Sequence, residues 1–234
     1  MKVERFSSKE ALYDRAVAII TQVKNDGATT FGLATGGTME PLYAKIRETN
    51  IDFSESLSYN LDEYVGLSAT HEQSYAYYMQ QHLFQYKPFK ASHLPNGLAN
   101  DVVAEAAKYE DLLQQQPLDF QLLGIGQNGH IGFNEPGTSF DSLTHLVELE
   151  ESTRQANARY FDTIDEVPTQ AFTMGIQSIM RAKCILLLAV GEAKHEVLKR
   201  VLASEYTEEV PASALTKHPN VIILTDLQEE ENSL

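Results

Sequence analysis

The sequence predicts an α/β fold of three layers, with helices on both faces of a mostly parallel sheet, and three observations predict it. Short apolar runs alternate with stretches of helical periodicity along the 234 residues. Strands separated by helices favour parallel pairing through right-handed crossovers, because each step needs a helix to return the chain. The runs at 184–190 and 221–225 are apolar on both faces, as central strands covered by helices should be.

The elements follow in order. Ser7 with Glu10 makes a capping-box pattern, and Leu12, Ala16, Ile19, Ile20 and Val23 recur at helical spacing, so the chain opens with an amphipathic helix. A strand at 29–34 leads into a helix at 39–48 that contains Pro41. A strand at 57–61 precedes a helix at 74–84, and a helix at 99–115 precedes a strand at 120–125. Helices at 152–161 and 193–202 lie either side of the strand at 184–190, and a strand at 221–225 ends the series. No linker, fixed repeat or low-complexity tract divides the chain, so residues 1–234 are expected to form one domain, with only 229–234 disordered.

Charge narrows the partners. With 33 acidic against 18 basic side chains the net charge is -15, so the average surface repels nucleic acid and anionic membranes. A small anionic substrate stays compatible if the few Lys and Arg gather in one cleft. Cys184 is the only cysteine and lies inside an apolar run, which reads as a buried core position and rules out a disulfide within the chain. The N-terminus has no apolar signal core, and no segment approaches the roughly 20 apolar residues of a membrane span, so a cytoplasmic location is expected.

Three constellations carry chemistry. In Gly124-Ile125-Gly126-Gln127-Asn128-Gly129-His130-Ile131-Gly132-Phe133-Asn134-Glu135-Pro136, glycines bracket a histidine and a carboxylate just after an apolar run. Loops beyond strand C-termini hold the ligand in open α/β sheets, and histidine is suited to moving protons near neutral pH. Asn128 and Glu135 are placed to fix the ring of His130, although a histidine near glycines also occurs as a plain loop residue.

The stretch Ala34-Thr35-Gly36-Gly37-Thr38 lies between a predicted strand and a predicted helix, where glycines let N–H groups converge and a helix start favours an anion. A phosphate fits Thr35, Gly36, Gly37 and Thr38; a tight turn is the alternative. The motif is neither a Walker loop nor a dinucleotide fingerprint. In Asn60-Leu61-Asp62-Glu63-Tyr64-Val65-Gly66-Leu67 two adjacent acids end a strand, and since neighbours on a strand face opposite ways, either Asp62 or Glu63 is a candidate base. Arg159 and Lys194 are the basic candidates for completing an anion site. The histidines are dispersed, with no His-x-x-x-His and no cysteine pair, so no metal site is expected.

Together and in this order, these motifs, with Thr153-Arg154-Gln155-Ala156-Asn157-Ala158-Arg159-Tyr160-Phe161, resemble the glucosamine-6-phosphate deaminase family nearly end to end. The resemblance implies a Rossmann-like sandwich and an aldose-ketose isomerisation that releases ammonia, without cofactor or metal. It implies Asp62 as the base between C2 and C1, and His130 as the group that opens the sugar ring, relayed through Glu135 and Asn128. Some relatives carry Asp at the position of Asn128, whose amide cannot ionise, so the charge on His130 is expected to be less favoured here. Thr35, Gly36, Gly37, Thr38, Arg159 and Lys194 would grip the 6-phosphate, with residues 150–165 as a lid.

Two other readings remain. A 6-phosphogluconolactonase has the same fold and a similar glycine-histidine loop, but Asn134-Glu135 after the histidine argues against it. A non-catalytic sugar-phosphate sensor could dispense with both Asp62 and His130. Longer members of the resembled family are hexamers activated by N-acetylglucosamine 6-phosphate, with basic side chains just after the Glu-Pro. Here His145 and Val147 stand in those places, beside Glu148, and the chain ends at Leu234 soon after the last expected strand. The resemblance therefore implies a non-allosteric monomer.

Overall fold

The computed structural model describes residues 1–203 and 205–228; the expectation for 229–234 lies outside the described residues. The chain runs β1 (Lys2–Arg5), α1 (Lys9–Asn25), β2 (Thr30–Leu33), α2 (Glu40–Arg47), β3 (Leu57–Asn60), β4 (Asp62–Tyr64), α3 (Tyr75–Met79) and β5 (Ala91–His93). It continues through α4 (Val102–Gln115), β6 (Phe120–Gly124), β7 (His145–Glu148), α5 (Glu151–Asn157), β8 (Gln170–Thr173), α6 (Ile176–Met180), β9 (Cys184–Ala189), α7 (His195–Leu202) and β10 (Val221–Thr225).

Seven strands form one sheet in the order β1-β10-β9-β6-β2-β3-β5, and every pair in it is parallel. The α/β class and the five expected strands are therefore present, as β2, β3, β6, β9 and β10. A second sheet of three antiparallel strands, β4-β8-β7, was not foreseen. Its members are three or four residues long and half polar, too short for an alternation to show. The edge strands β1 and β5 escaped notice for the same reason.

The strand order reverses between β2 and β6: from β2 the chain winds outward through β3 to β5, then returns to pair β6 on the other side of β2. Such a switch point splays adjacent loops apart and leaves a crevice at the strand C-termini. The loops at 34–39 and 125–136 are the two that follow these strands.

Helix boundaries differ from expectation in informative ways. Ser8 caps α1, its hydroxyl accepting the Ala11 N–H at 3.2 Å, rather than Ser7. Glu10 then stands at the second helical position and does not close a capping box. The expected helix at 74–84 is α only to Met79 and widens into a single π turn over Gln80–Phe84. The one at 152–161 starts a residue earlier and tightens into a 3₁₀ turn at Ala158–Tyr160. A 3₁₀ turn, Glu192–Lys194, likewise precedes α7.

The main core joins α1, α2 and α7 to the sheet through Leu12, Leu42, Phe31, Leu122, Leu186 and Leu198, all buried. Cys184 is buried among them, as its setting implied. A smaller cluster of Tyr64, Leu67, Phe133 and Ala171 packs under the antiparallel sheet, with Phe161 against it. Among the described residues no helix is long and apolar enough to cross a membrane.

Candidate active site

The loop after β2 turns at Gly36, whose φ of 108° lies where glycine alone is unstrained. Met39 N–H closes the turn onto the Gly36 carbonyl at 3.0 Å, and α2 begins immediately after with Pro41 in its first turn. Gly36 and Gly37 are exposed, and a Cβ on either would meet nothing within 4 Å. Among the described residues the N–H groups of Thr35, Gly36, Gly37 and Thr38 have no partner. Four open amides, two hydroxyls and a helix start together suit an anion.

The neighbouring strand β3 pairs Asn60 with Leu33, so Asp62 and Thr35 each lie two residues beyond that pair, Asp62 at the start of β4. Asp62 is buried, and its carboxylate accepts no hydrogen bond among the described residues. Burial first, and the charge of Glu63 second, push its pKa up to about 8. Glu63 faces the other way: its oxygens take the N–H groups of Tyr64, Tyr75 and Ala76 at 2.8, 3.0 and 2.9 Å. Of the two acids, Glu63 is fully occupied at the start of α3, and Asp62 is the one left without a partner among the described residues.

The loop after β6 is compact because its glycines admit close neighbours. The ring of His130 lies where a side chain on Gly126 would stand, and Gly129, at φ 91°, backs onto Val210. Asn128 sits between His130 and Glu135: its Nδ2 donates to Glu135 Oε2 at 2.7 Å, and its Oδ1 lies 2.7 Å from His130 Nδ1. With the amide so oriented, Oδ1 can only accept, so Nδ1 carries the proton and Nε2 the lone pair. Glu135 Oε1 stands 3.6 Å from Nδ1. Burial lowers the pKa of His130; Glu135 opposes that, and the nearby charge of Lys194 reinforces it.

Thr173 ties the two sides together. It pairs with Asp62 across β4 and β8, and its hydroxyl accepts the Phe133 N–H of the histidine loop at 3.1 Å. Asn134 adds a further tie, donating to the carbonyls of Ile131 and Met174, both at 2.8 Å.

The basic candidates fare differently. Lys194 is half-buried at the end of β9, near enough to His130 to influence it, and burial lowers its own pKa. Asp226 fixes the preceding turn by accepting the Gly191 N–H at 3.0 Å and bonding His195 Nε2 at 3.1 Å. Arg159 is exposed; its guanidinium stacks over Tyr160 at 4.7 Å and donates to that hydroxyl at 2.6 Å. The segment carrying it is tied down by Asn157, which donates to the Tyr64 hydroxyl at 3.0 Å. That tie was invisible in sequence, as were the tyrosines beneath the Thr35 loop described below. Among the described residues no three His, Cys, Asp or Glu side chains gather as metal ligands.

An open parallel sheet with a buried carboxylate left unpaired among the described residues, a relayed histidine and an amide-rich loop at its switch point defines an α/β protein built for acid-base chemistry on a small anion. The chain belongs to the family described as glucosamine-6-phosphate isomerases/6-phosphogluconolactonase, whose model matches residues 7–223. It is 82% identical over 208 residues to a glucosamine-6-phosphate deaminase of Lysinibacillus sphaericus, covering 89% of this chain and 94% of that one. A solved structure of a monomeric glucosamine-6-phosphate deaminase superposes with a TM-score of 0.92 at 46% identity, over 96% of this chain and 97% of the other. A 6-phosphogluconolactonase from Shewanella baltica shares the fold alone, with a TM-score of 0.76 at 19% identity over 96% and 97% of the two chains.

Proposed function

We propose that this protein converts glucosamine 6-phosphate and water to fructose 6-phosphate and ammonia. The observation that carries the assignment is Asp62, a buried carboxylate without hydrogen-bond partners among the described residues, just past the end of the strand that pairs with β2, whose following loop carries the open amides. A base in that state is held poised for a carbon acid, whereas lactone hydrolysis asks only for an activated water.

His130 Nε2, with its lone pair, takes the proton of O1 and returns one to the ring oxygen, opening the sugar to the aldehyde. Asp62 then removes the C2 proton while the substrate's ammonium gives one to O1, leaving a cis-enolamine, and Asp62 returns its proton to C1. The resulting C2 iminium adds water and loses ammonia, leaving the ketone. Asn128 and Glu135 hold the imidazole through these steps, and Thr35, Gly36, Gly37, Thr38 and Lys194 bind the 6-phosphate. Arg159 joins them when residues 150–165 close as a lid over the substrate, within a single domain spanning 1–234. The protein acts as a cytoplasmic monomer without an effector; the similarity to a monomeric deaminase supports the monomer.

The test is to incubate the pure protein with glucosamine 6-phosphate and, in parallel, with 6-phosphogluconolactone. Ammonia and fructose 6-phosphate should appear in equal amounts from the first. Hydrolysis of the second without deamination of the first would overturn the assignment.

A further inference from the structure

Three tyrosines from three helices converge beneath the loop after β2. Tyr13 of α1 donates its hydroxyl to the Thr38 carbonyl at 2.7 Å, Tyr43 of α2 to Ala34 at 2.5 Å, and Tyr78 of α3 to Gly36 at 2.7 Å. The acceptors are alternate residues, 34, 36 and 38, so every second carbonyl of the loop is drawn toward the helices.

A peptide plane is rigid, and in a trans peptide the carbonyl of one residue and the N–H of the next point in opposite directions. No cis peptide bond occurs among the described residues. Pulling the carbonyls of Ala34 and Gly36 toward Tyr43 and Tyr78 therefore turns the N–H groups of Thr35 and Gly37 the opposite way, to the exposed side of the loop. Holding the Thr38 carbonyl steers the Met39 N–H, which closes the turn on Gly36 at 3.0 Å.

We propose that Tyr13, Tyr43 and Tyr78 are positioning residues for the phosphate subsite, orienting the Thr35 and Gly37 amides toward the anion and keeping carbonyl oxygens away from it. This rests on the phosphate reading of the loop given above and deepens it. Without the hydroxyls nothing among the described residues holds these carbonyls inward, apart from the Met39 bond to Gly36. A carbonyl swung outward would set its negative end against a phosphate. Burial raises all three hydroxyls, Tyr13 to about 12, so each stays protonated and able to donate at any working pH. The rings are also fixed: Tyr78 packs edge-on to Tyr43 at 6.4 Å and lies 4.3 Å from His82, contacts that phenylalanine would keep.

The experiment compares wild type with Tyr78→Phe, Tyr13→Phe and, as a control for the subsite itself, Thr38→Val. The KM and kcat for glucosamine 6-phosphate, the inhibition constant of inorganic phosphate and the Tm are read for each. Loss of one loop hydrogen bond should raise KM and the phosphate inhibition constant together by about two- to tenfold, with KM rising by more than kcat falls. A purely structural role would lower the Tm and kcat without this matched change. Unchanged phosphate inhibition in both tyrosine variants, while Thr38→Val weakens it, overturns the positioning role and leaves the phosphate subsite in place. Unchanged inhibition in Thr38→Val as well removes the subsite, and the positioning role with it. Should Tyr78→Phe fail to fold, Tyr13→Phe decides by the same criteria, since it frees the Thr38 carbonyl at the other end of the loop.

Discussion

On β4 the carboxylate of Glu63 takes three backbone N–H bonds, while that of its neighbour Asp62 takes none among the described residues. Alternation along the strand sends the two side chains to opposite faces. One acid anchors a helix start, and the other is left buried, without a partner among the described residues and beside a like charge. Residue type alone does not separate the two acids in the string Asp-Glu, but their hydrogen-bond partners differ in the fold.

Asp62→Asn should keep substrate binding and lose proton transfer, because the amide is isosteric but not basic. The fall belongs in kcat, by on the order of a hundredfold or more, with exchange of the C2 proton into solvent lost in parallel. Wild-type exchange and deamination in the variant would show that another group is the base. The same substitution should stabilise the fold. Burial and Glu63 raise Asp62 from 3.8 to about 8, so its ionisation costs the folded state stability as the pH rises from the lower value to the higher. The Tm of Asp62→Asn should thus exceed that of wild type at about pH 8 and match it at about pH 4; an equal difference at both would mean that packing, not ionisation, is being measured.

Asn128→Asp should raise the pKa of His130. Burial lowers it now and Lys194 reinforces the effect, while Glu135 is the only carboxylate opposing them. A second carboxylate 2.7 Å from Nδ1 favours the imidazolium. The ring should titrate at higher pH by NMR, and the pH-rate profile should move with it. A titration that stays put would mean that the new carboxylate has turned away from the ring, repelled by Glu135.

Lys194→Ala and Arg159→Ala should each raise KM for glucosamine 6-phosphate, since each removes a charge-assisted bond worth about 1.5 to 3 kcal/mol. The two test different things. Lys194 already stands half-buried and near enough to His130 to influence it, whereas Arg159 is engaged with Tyr160 and must leave that ring to bind the phosphate. A raised KM for Lys194→Ala with none for Arg159→Ala would take Arg159, and the lid, out of the site.

The parts of this design that sequence reveals are those where local rules suffice. Both-face apolar runs identified β9 and β10, and glycines around His130 identified the loop after β6, because sheet burial and turn chemistry act over a few residues. Three-residue strands such as β4 carry too few positions for a pattern. Tyr13, Tyr43 and Tyr78 read as helical core positions, and nothing in their spacing of 30 and 35 residues tells that their hydroxyls meet one loop. Ser7 and Ser8 are chemically alike, so residue type does not tell which of them caps α1; in the fold it is Ser8, in extended backbone just before the helix.

Initial rates should depend hyperbolically on glucosamine 6-phosphate, and N-acetylglucosamine 6-phosphate should not change the curve. An effector shifts an equilibrium only through differential binding to two states, and a phosphate-bearing effector needs cations to bind. Residues 137–148 contain no Lys or Arg. On β7 the His145 ring nitrogen Nδ1 is engaged with the Leu143 carbonyl at 2.7 Å, and Val147 packs against the aromatic cluster under the small sheet. Glu148 is held in place by Gln170 at 2.5 Å, so this edge presents a fixed negative charge to any anion. With no favourable contact there, the coupling has no source. Sigmoidal kinetics relieved by N-acetylglucosamine 6-phosphate, with a hexamer-sized species in light scattering, would show that a site elsewhere supplies it; a dimer with hyperbolic kinetics would revise the oligomeric state and leave the argument about β7 intact.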